Sequence, residues 1–133
     1  MTPAKAVALV ASKFRYTNDK RFIFDLWFVM RDADGVMKGD CDDFTITCLW
    51  EMCGRSLRTF IWKVLITHQY KVHRVKSTNG YHVVGEVDGL WFDNWTLRAM
   101  PKAEFFAATG HRHQIQYVSP VMLPYLISGL FVR

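Results

Sequence analysis

The sequence predicts an α+β fold in which N-terminal helices, one of them starting at Cys41, pack on a small antiparallel sheet. Three observations carry this. Apolar residues recur at helical spacing through the first 52 residues, as in Val7, Val10 and Phe14 and again in Phe44, Cys48, Leu49 and Met52. Residues 69–95 instead alternate short β-rich runs with the turn signals "TNG" and "DG". Finally, 133 residues with 50% hydrophobic and 22% charged side chains suit one globular domain, residues 1–133, with a core of its own. No repeat, low-complexity tract or Gly/Ser-rich linker divides the chain.

The first helix is expected over residues 3–15, capped by Thr2 with Pro3 at its first position. A second is expected around "KRFIFDLWFVMRD", where Phe22, Phe24, Leu26, Trp27 and Met30 form a broad apolar surface. "DADGVMKGD" reads as a loop turning at Asp34 and Gly35. A buried helix then runs to Met52 and ends at Gly54. "SLRTFIWKVLITH" places Leu57, Ile61, Val64 and Leu65 on one helical face, but its β-branched content leaves a strand open. "QYKVHRVKS", "YHVVGEV" and "LWFDNW" follow as strands, the last two joined by the tight turn Asp88–Gly89.

Two apolar segments invite a targeting reading and fail it. The run Ala6 to Ala11 is shorter than a signal core. "VMLPYLISGLFV" is too short to span a bilayer and is interrupted by Pro124 and Gly129, so it is expected to pack back on the core. Three cysteines without CxxC spacing fit a reducing compartment and exclude a disulfide framework, so the expected location is cytoplasmic. The net charge of +5 comes from scattered Lys and Arg. The basic run "KVHRVK" reads as a solvated sheet face rather than a nucleic-acid interface, since no nucleic-acid motif accompanies it. His111 and His113 have the parity to share a strand face, without an evident third metal ligand.

The chemistry concentrates at "GDCDDF". With Asp40 as N-cap and Asp43 at the third helical position, two of the three acids become a variant capping box. Cys41 then lies in the first turn, where the helix dipole favours thiolate. The dipole contributes only about 0.3–1 kcal/mol, so a thiolate among acids also needs a cationic partner such as an imidazolium. The hairpin supplies one. With a two-residue turn, Val87 faces Leu90 and Val84 faces Asp93, which makes His82 and Asp93 diagonal neighbours on one face. A three-residue turn would instead give the orienting role to Asn94. The expected roles are Cys41 as nucleophile, His82 as base and later acid, Asp93 as orienter, and the Cys41 backbone N–H as an oxyanion donor.

"GDCDDF", "YHVVGEV", "FDNWT" and the downstream "ATGHR", with Trp27 lying 14 residues before Cys41, together resemble the bacterial transglutaminase-like cysteine proteinases, over roughly residues 20–120. The resemblance implies a papain-like and transglutaminase-like fold. It implies thiol-dependent cleavage or transfer at a peptide, isopeptide or related amide bond, with a protein or peptide as substrate. It carries over Cys41, His82 and Asp93 and matches Trp27, which reads as core or groove wall; with Trp27, Asn94 is the other candidate for the substrate groove or oxyanion site. Some members bind calcium through acids flanking the nucleophile, here Asp40 and Asp42, although capping and solvated acids at a helix start explain the same residues and the thiol chemistry itself requires no cofactor. Asp42 stands where the family favours Glu, and the His-to-Asp hairpin is unusually short. The competing reading is a non-catalytic module of the same fold that contacts protein or nucleic acid through its basic face.

Overall fold

The structure, a computed structural model, describes residues 1–17 and 27–132, with 128–132 described as backbone. Helix α1 (Pro3–Lys13) begins as expected, with the Thr2 hydroxyl accepting from the Lys5 amide at 3.3 Å, and buries Ala6, Val7 and Val10. It stops two residues earlier than its periodicity suggests. Phe14 turns extended so that β1 (Phe14–Tyr16) can pair in parallel with β2 (Met37–Gly39).

The second expected helix is corrected where it can be seen. Residues 27–32 are not helical, because their amides are taken by other elements: Trp27 N–H donates to the Tyr125 carbonyl (3.2 Å), Phe28 N–H to Asp43 Oδ1 (3.2 Å) and Met30 N–H to Thr47 Oγ1 (2.8 Å). Phe22, Phe24 and Leu26 lie outside the described residues.

Helix α2 (Cys41–Met52) is almost wholly buried, which explains why its polar positions Asp43, Thr45 and Thr47 all hold partners. Helix α3 (Leu57–Phe60), capped by Ser56, continues as a π-helical segment, Ile61–Ile66. The helical alternative for this stretch therefore stands over the strand.

Strands β3 (Tyr70–Ser77), β4 (Gly80–Val87), β5 (Leu90–Phe92), β6 (Met100–Pro101) and β7 (Arg112–Gln116) form one antiparallel sheet in the order β6-β5-β4-β3-β7. Helix α4 (Lys102–Thr109) lies between β6 and β7 in sequence, and α5 (Ser119–Val132) closes the chain. This mixture of helices with an antiparallel sheet is the expected α+β class.

The sheet is covered on both faces. Val72, Val83, Val87 and Phe92 join a large core with residues of α1, α2 and α5. Val75, Val84 and Trp91 face the other way and pack with Met100 and with Phe105 of α4. Strand alternation thus sends odd-numbered β4 side chains toward α2 and even-numbered ones toward α4. The C-terminal segment packs back as expected, with Met122 buried and Tyr125 stacked on Trp27 at 4.9 Å. No helix of the described residues is long and apolar enough to cross a membrane.

Candidate active site

The start of α2 is built by its acids. Asp40 Oδ1 accepts from the Asp43 amide (3.3 Å) while Asp43 Oδ2 accepts from the Asp40 amide (3.2 Å), a reciprocal capping box that places half-buried Cys41 at the first helical position. Gly39 is required by this box, since a Cβ there would lie 2.7 Å from Asp43 Cβ and 2.8 Å from the Met30 sulfur. Burial, and then the charge of Asp40, push the Asp43 carboxyl up to about 8. Tyr16, whose strand partner is Gly39, lies close enough that Asp40, Cys41 and Asp42 add to partial burial in raising its phenol. Neither Gly39 nor Tyr16 was singled out from the sequence.

The hairpin has the two-residue turn. Asp88 and Gly89 both take positive φ (53° and 77°), and the register runs Val87↔Leu90, Glu86↔Trp91, Gly85↔Phe92. Strand β5 ends at Phe92, earlier than "LWFDNW" suggests, because Asp93 Oδ1 turns back to accept from the Trp95 (3.0 Å) and Thr96 (2.8 Å) amides. Its Oδ2 accepts from His82 Nε2 at 2.9 Å and from His111 Nε2 at 3.0 Å.

Asp93 is wholly buried, which by itself would raise its pKa, but the bonds from His111, His82 and Thr96 outweigh burial and hold the carboxyl well below its ordinary range. An ionised Asp93 can only accept, so both imidazoles carry their proton on Nε2 in this arrangement. The nitrogen of His82 left to act as a base is therefore Nδ1. Trp95, itself 41% exposed, covers both rings at 5.4 and 4.8 Å.

The structure thus brings His82 and Asp93 together, adds His111, and seats Cys41 at a capped helix start. The described hydrogen bonds of His82 run to Asp93, none to Cys41. The His82 ring leaves β4 on the α4 side, with Val84, while α2 packs on the opposite face. One contact between α2 and β4 lies beside His82. Beyond Gly85 the edge of β4 is no longer paired with β5, and the Val83 carbonyl there accepts from the Thr45 hydroxyl at a long 3.4 Å. Thr45 is four residues after Cys41, on the same face of α2, and Val83 adjoins His82.

Asn94 follows Asp93 at this open edge, and its Oδ1 is buried without a hydrogen bond. Trp27 is 2% exposed and enclosed by Tyr117 and Tyr125, so its ring belongs to the core. The other cysteines are buried, and burial raises both thiols, that of Cys53 to about 11.

Among the described residues, two groups bring metal-ligating atoms within 4.8 Å of one another: Asp40, Asp42 and Asp43, and His82, Asp93 and His111. The first does not fit calcium well. Asp40 and Asp43 spend oxygens on the cap, and a calcium shell needs about six to eight oxygens.

The pair His111 and His113 does not share a site. His111 follows the left-handed Gly110 that ends α4 and meets Asp93, whereas His113 Nε2 meets His73 Nδ1 at 3.0 Å, with His73 Nε2 on Glu86 at 2.8 Å. The meeting of His111 with Asp93 had no local signal, but "PKAEFFAATG" carries Pro before a short helix and Gly after it, which marks α4 and hence the turn that delivers His111. No family model matches the chain, and no curated protein matches its sequence.

Proposed function

We propose that this protein is a thiol-dependent hydrolase that cleaves a peptide, isopeptide or related amide bond through an acyl-thioester on Cys41, within a papain-like and transglutaminase-like arrangement. The observation that carries the reading is the buried 2.9 Å bond from His82 Nε2 to Asp93, next to Val83, where Thr45 of the Cys41 helix touches β4. Asp93 fixes the tautomer that leaves Nδ1 as base. The thiol proton passes to His82 Nδ1 as sulfur attacks the carbonyl carbon, and the oxyanion is met by the Cys41 backbone N–H at the helix start. Collapse expels the amine, which takes the proton from His82 and leaves the thioester. Water, deprotonated by His82, then releases the acid and restores the thiol. An amine in place of water gives transamidation by the same steps.

For thiol and imidazole to meet, they must do so around the open edge of β4, where β5 has ended. The side of β4 on which His82 leaves favours a second reading, a non-catalytic module. Its basic patch, in which Arg74 stacks on Tyr81 at 4.7 Å, would then contact a partner protein or nucleic acid. The pH profile of Cys41 alkylation separates the two. A catalytic thiol reacts with iodoacetamide at half-maximal rate well below the ordinary thiol value of about 8.5, and His82→Ala returns it there. A profile already centred near that value in the native protein supports the module.

A further inference from the structure

We propose that His82, Asp93 and His111 form a three-ligand site for a zinc-type divalent cation, and that filling it switches off the thiol chemistry by occupying His82. The second half rests on the function proposed above; the site itself does not.

One ligand atom from each of His82, Asp93 and His111 lies within 4.8 Å of the others, and Asp93 Oδ2 stands 2.9 Å from His82 Nε2 and 3.0 Å from His111 Nε2. Donors that each lie about 2.0–2.2 Å from zinc are separated from one another by about 3 Å, which the two His–Asp93 separations match, so a cation against Asp93 Oδ2 can take both imidazoles once their rings close on it. Two nitrogens and one oxygen suit zinc and its borderline neighbours rather than calcium or magnesium. Three protein ligands leave a fourth position for water or a reacting group.

The ligands are also held from behind. Asp93 Oδ1 is fixed by the Trp95 and Thr96 amides, which aims Oδ2 at the imidazoles, and the His111 ring packs at 5.8 Å from Phe105. All three ligands are 5% exposed or less, while half-exposed Trp95 covers both rings and is the side chain an entering ion would displace. Ligation through Nε2 moves each ring's proton to Nδ1, with no net proton released. His111 Nδ1 has no acceptor, so that N–H is left unsatisfied, and binding is accordingly weaker than at a structural zinc site. That suits a reversible regulator.

The test titrates zinc chloride against a chromophoric chelator in the presence of the folded full chain. We expect one zinc per chain, unchanged affinity in Cys41→Ala, and at least tenfold weaker binding in His111→Ala. His111→Gln, which keeps a donor for Asp93, is the second variant should the alanine form unfold by circular dichroism. Zinc should slow Cys41 alkylation at least tenfold in the native protein, EDTA should restore it, and neither should matter in the His111 variants. No stoichiometric zinc, binding indifferent to His111, or binding lost in Cys41→Ala would overturn the site. Zinc bound as expected to a protein whose Cys41 alkylates as an ordinary thiol keeps the site and refutes the hydrolase reading. A reactive Cys41 that ignores bound zinc keeps both the site and the hydrolase reading and refutes the switch.

Discussion

Asp93 takes N–H groups from His82, His111, Trp95 and Thr96 while wholly buried. Removing it in Asp93→Ala leaves two imidazoles and two amides without an acceptor, so we expect a loss of roughly 2–4 kcal/mol in denaturant unfolding. A loss within about 0.5 kcal/mol, the range of ordinary surface changes, would contradict the network.

Asp43 presents the opposite electrostatics. It keeps its proton to about 8, against 3.8 for an ordinary Asp, because burial and Asp40 oppose its charge. A carboxyl whose folded pKa is raised contributes stability that is full below the unfolded value and is lost as pH rises through the folded one. Asp43→Asn removes that component, so thermal unfolding of the variant should fall less steeply between pH 5 and 8 than that of the native protein. Parallel curves would rule this out.

At the scale of elements, two glycines set how closely backbones approach. A Cβ at Gly85 would lie 2.4 Å from the Phe92 ring across the hairpin, and one at Gly39 would strike the capping box. Neither takes a positive φ, so alanine meets only the steric barrier. We expect Gly85→Ala and Gly39→Ala each to destabilise by about 1–3 kcal/mol, with Gly39→Ala also changing Cys41 alkylation because it moves the start of α2. Tolerance of both, seen as unchanged melting temperatures, would mean the packing is looser than drawn.

The hairpin and the capping box were legible in the sequence because both depend on neighbours a few residues apart: Asp-Gly fixes the register, and Asp40 and Asp43 fix the helix start. Residues 27–32 were misread for the complementary reason. Their apolar content suits a helix, but their amides are claimed by Asp43, Thr47 and Tyr125, each 15 or more residues from its donor. His111 escaped for the same cause, since it meets Asp93 from 18 residues away.

The whole molecule is organised by a sheet with a core on each face, and the proposed chemistry belongs to the one place where an edge of β4 is open. The α+β class followed from the order of patterns along the chain. The course of α5 through Pro124, and its stacking of Tyr125 on Trp27, depend on packing that no local pattern records. Tyr125→Ala should uncover Trp27, shift its fluorescence to the red and destabilise the protein by about 2–4 kcal/mol. Unchanged emission would place Trp27 elsewhere.

Because Cys48 and Cys53 are buried, a faster Cys41 alone proves only access. The decisive measurement is therefore the rate of Cys41 alkylation against pH in the native protein and in His82→Ala. A thiolate held by His82 gives half-maximal reactivity at least one pH unit below about 8.5 in the native protein and a return to that value without the imidazole. Superimposed profiles would show that His82 and Cys41 do not act together.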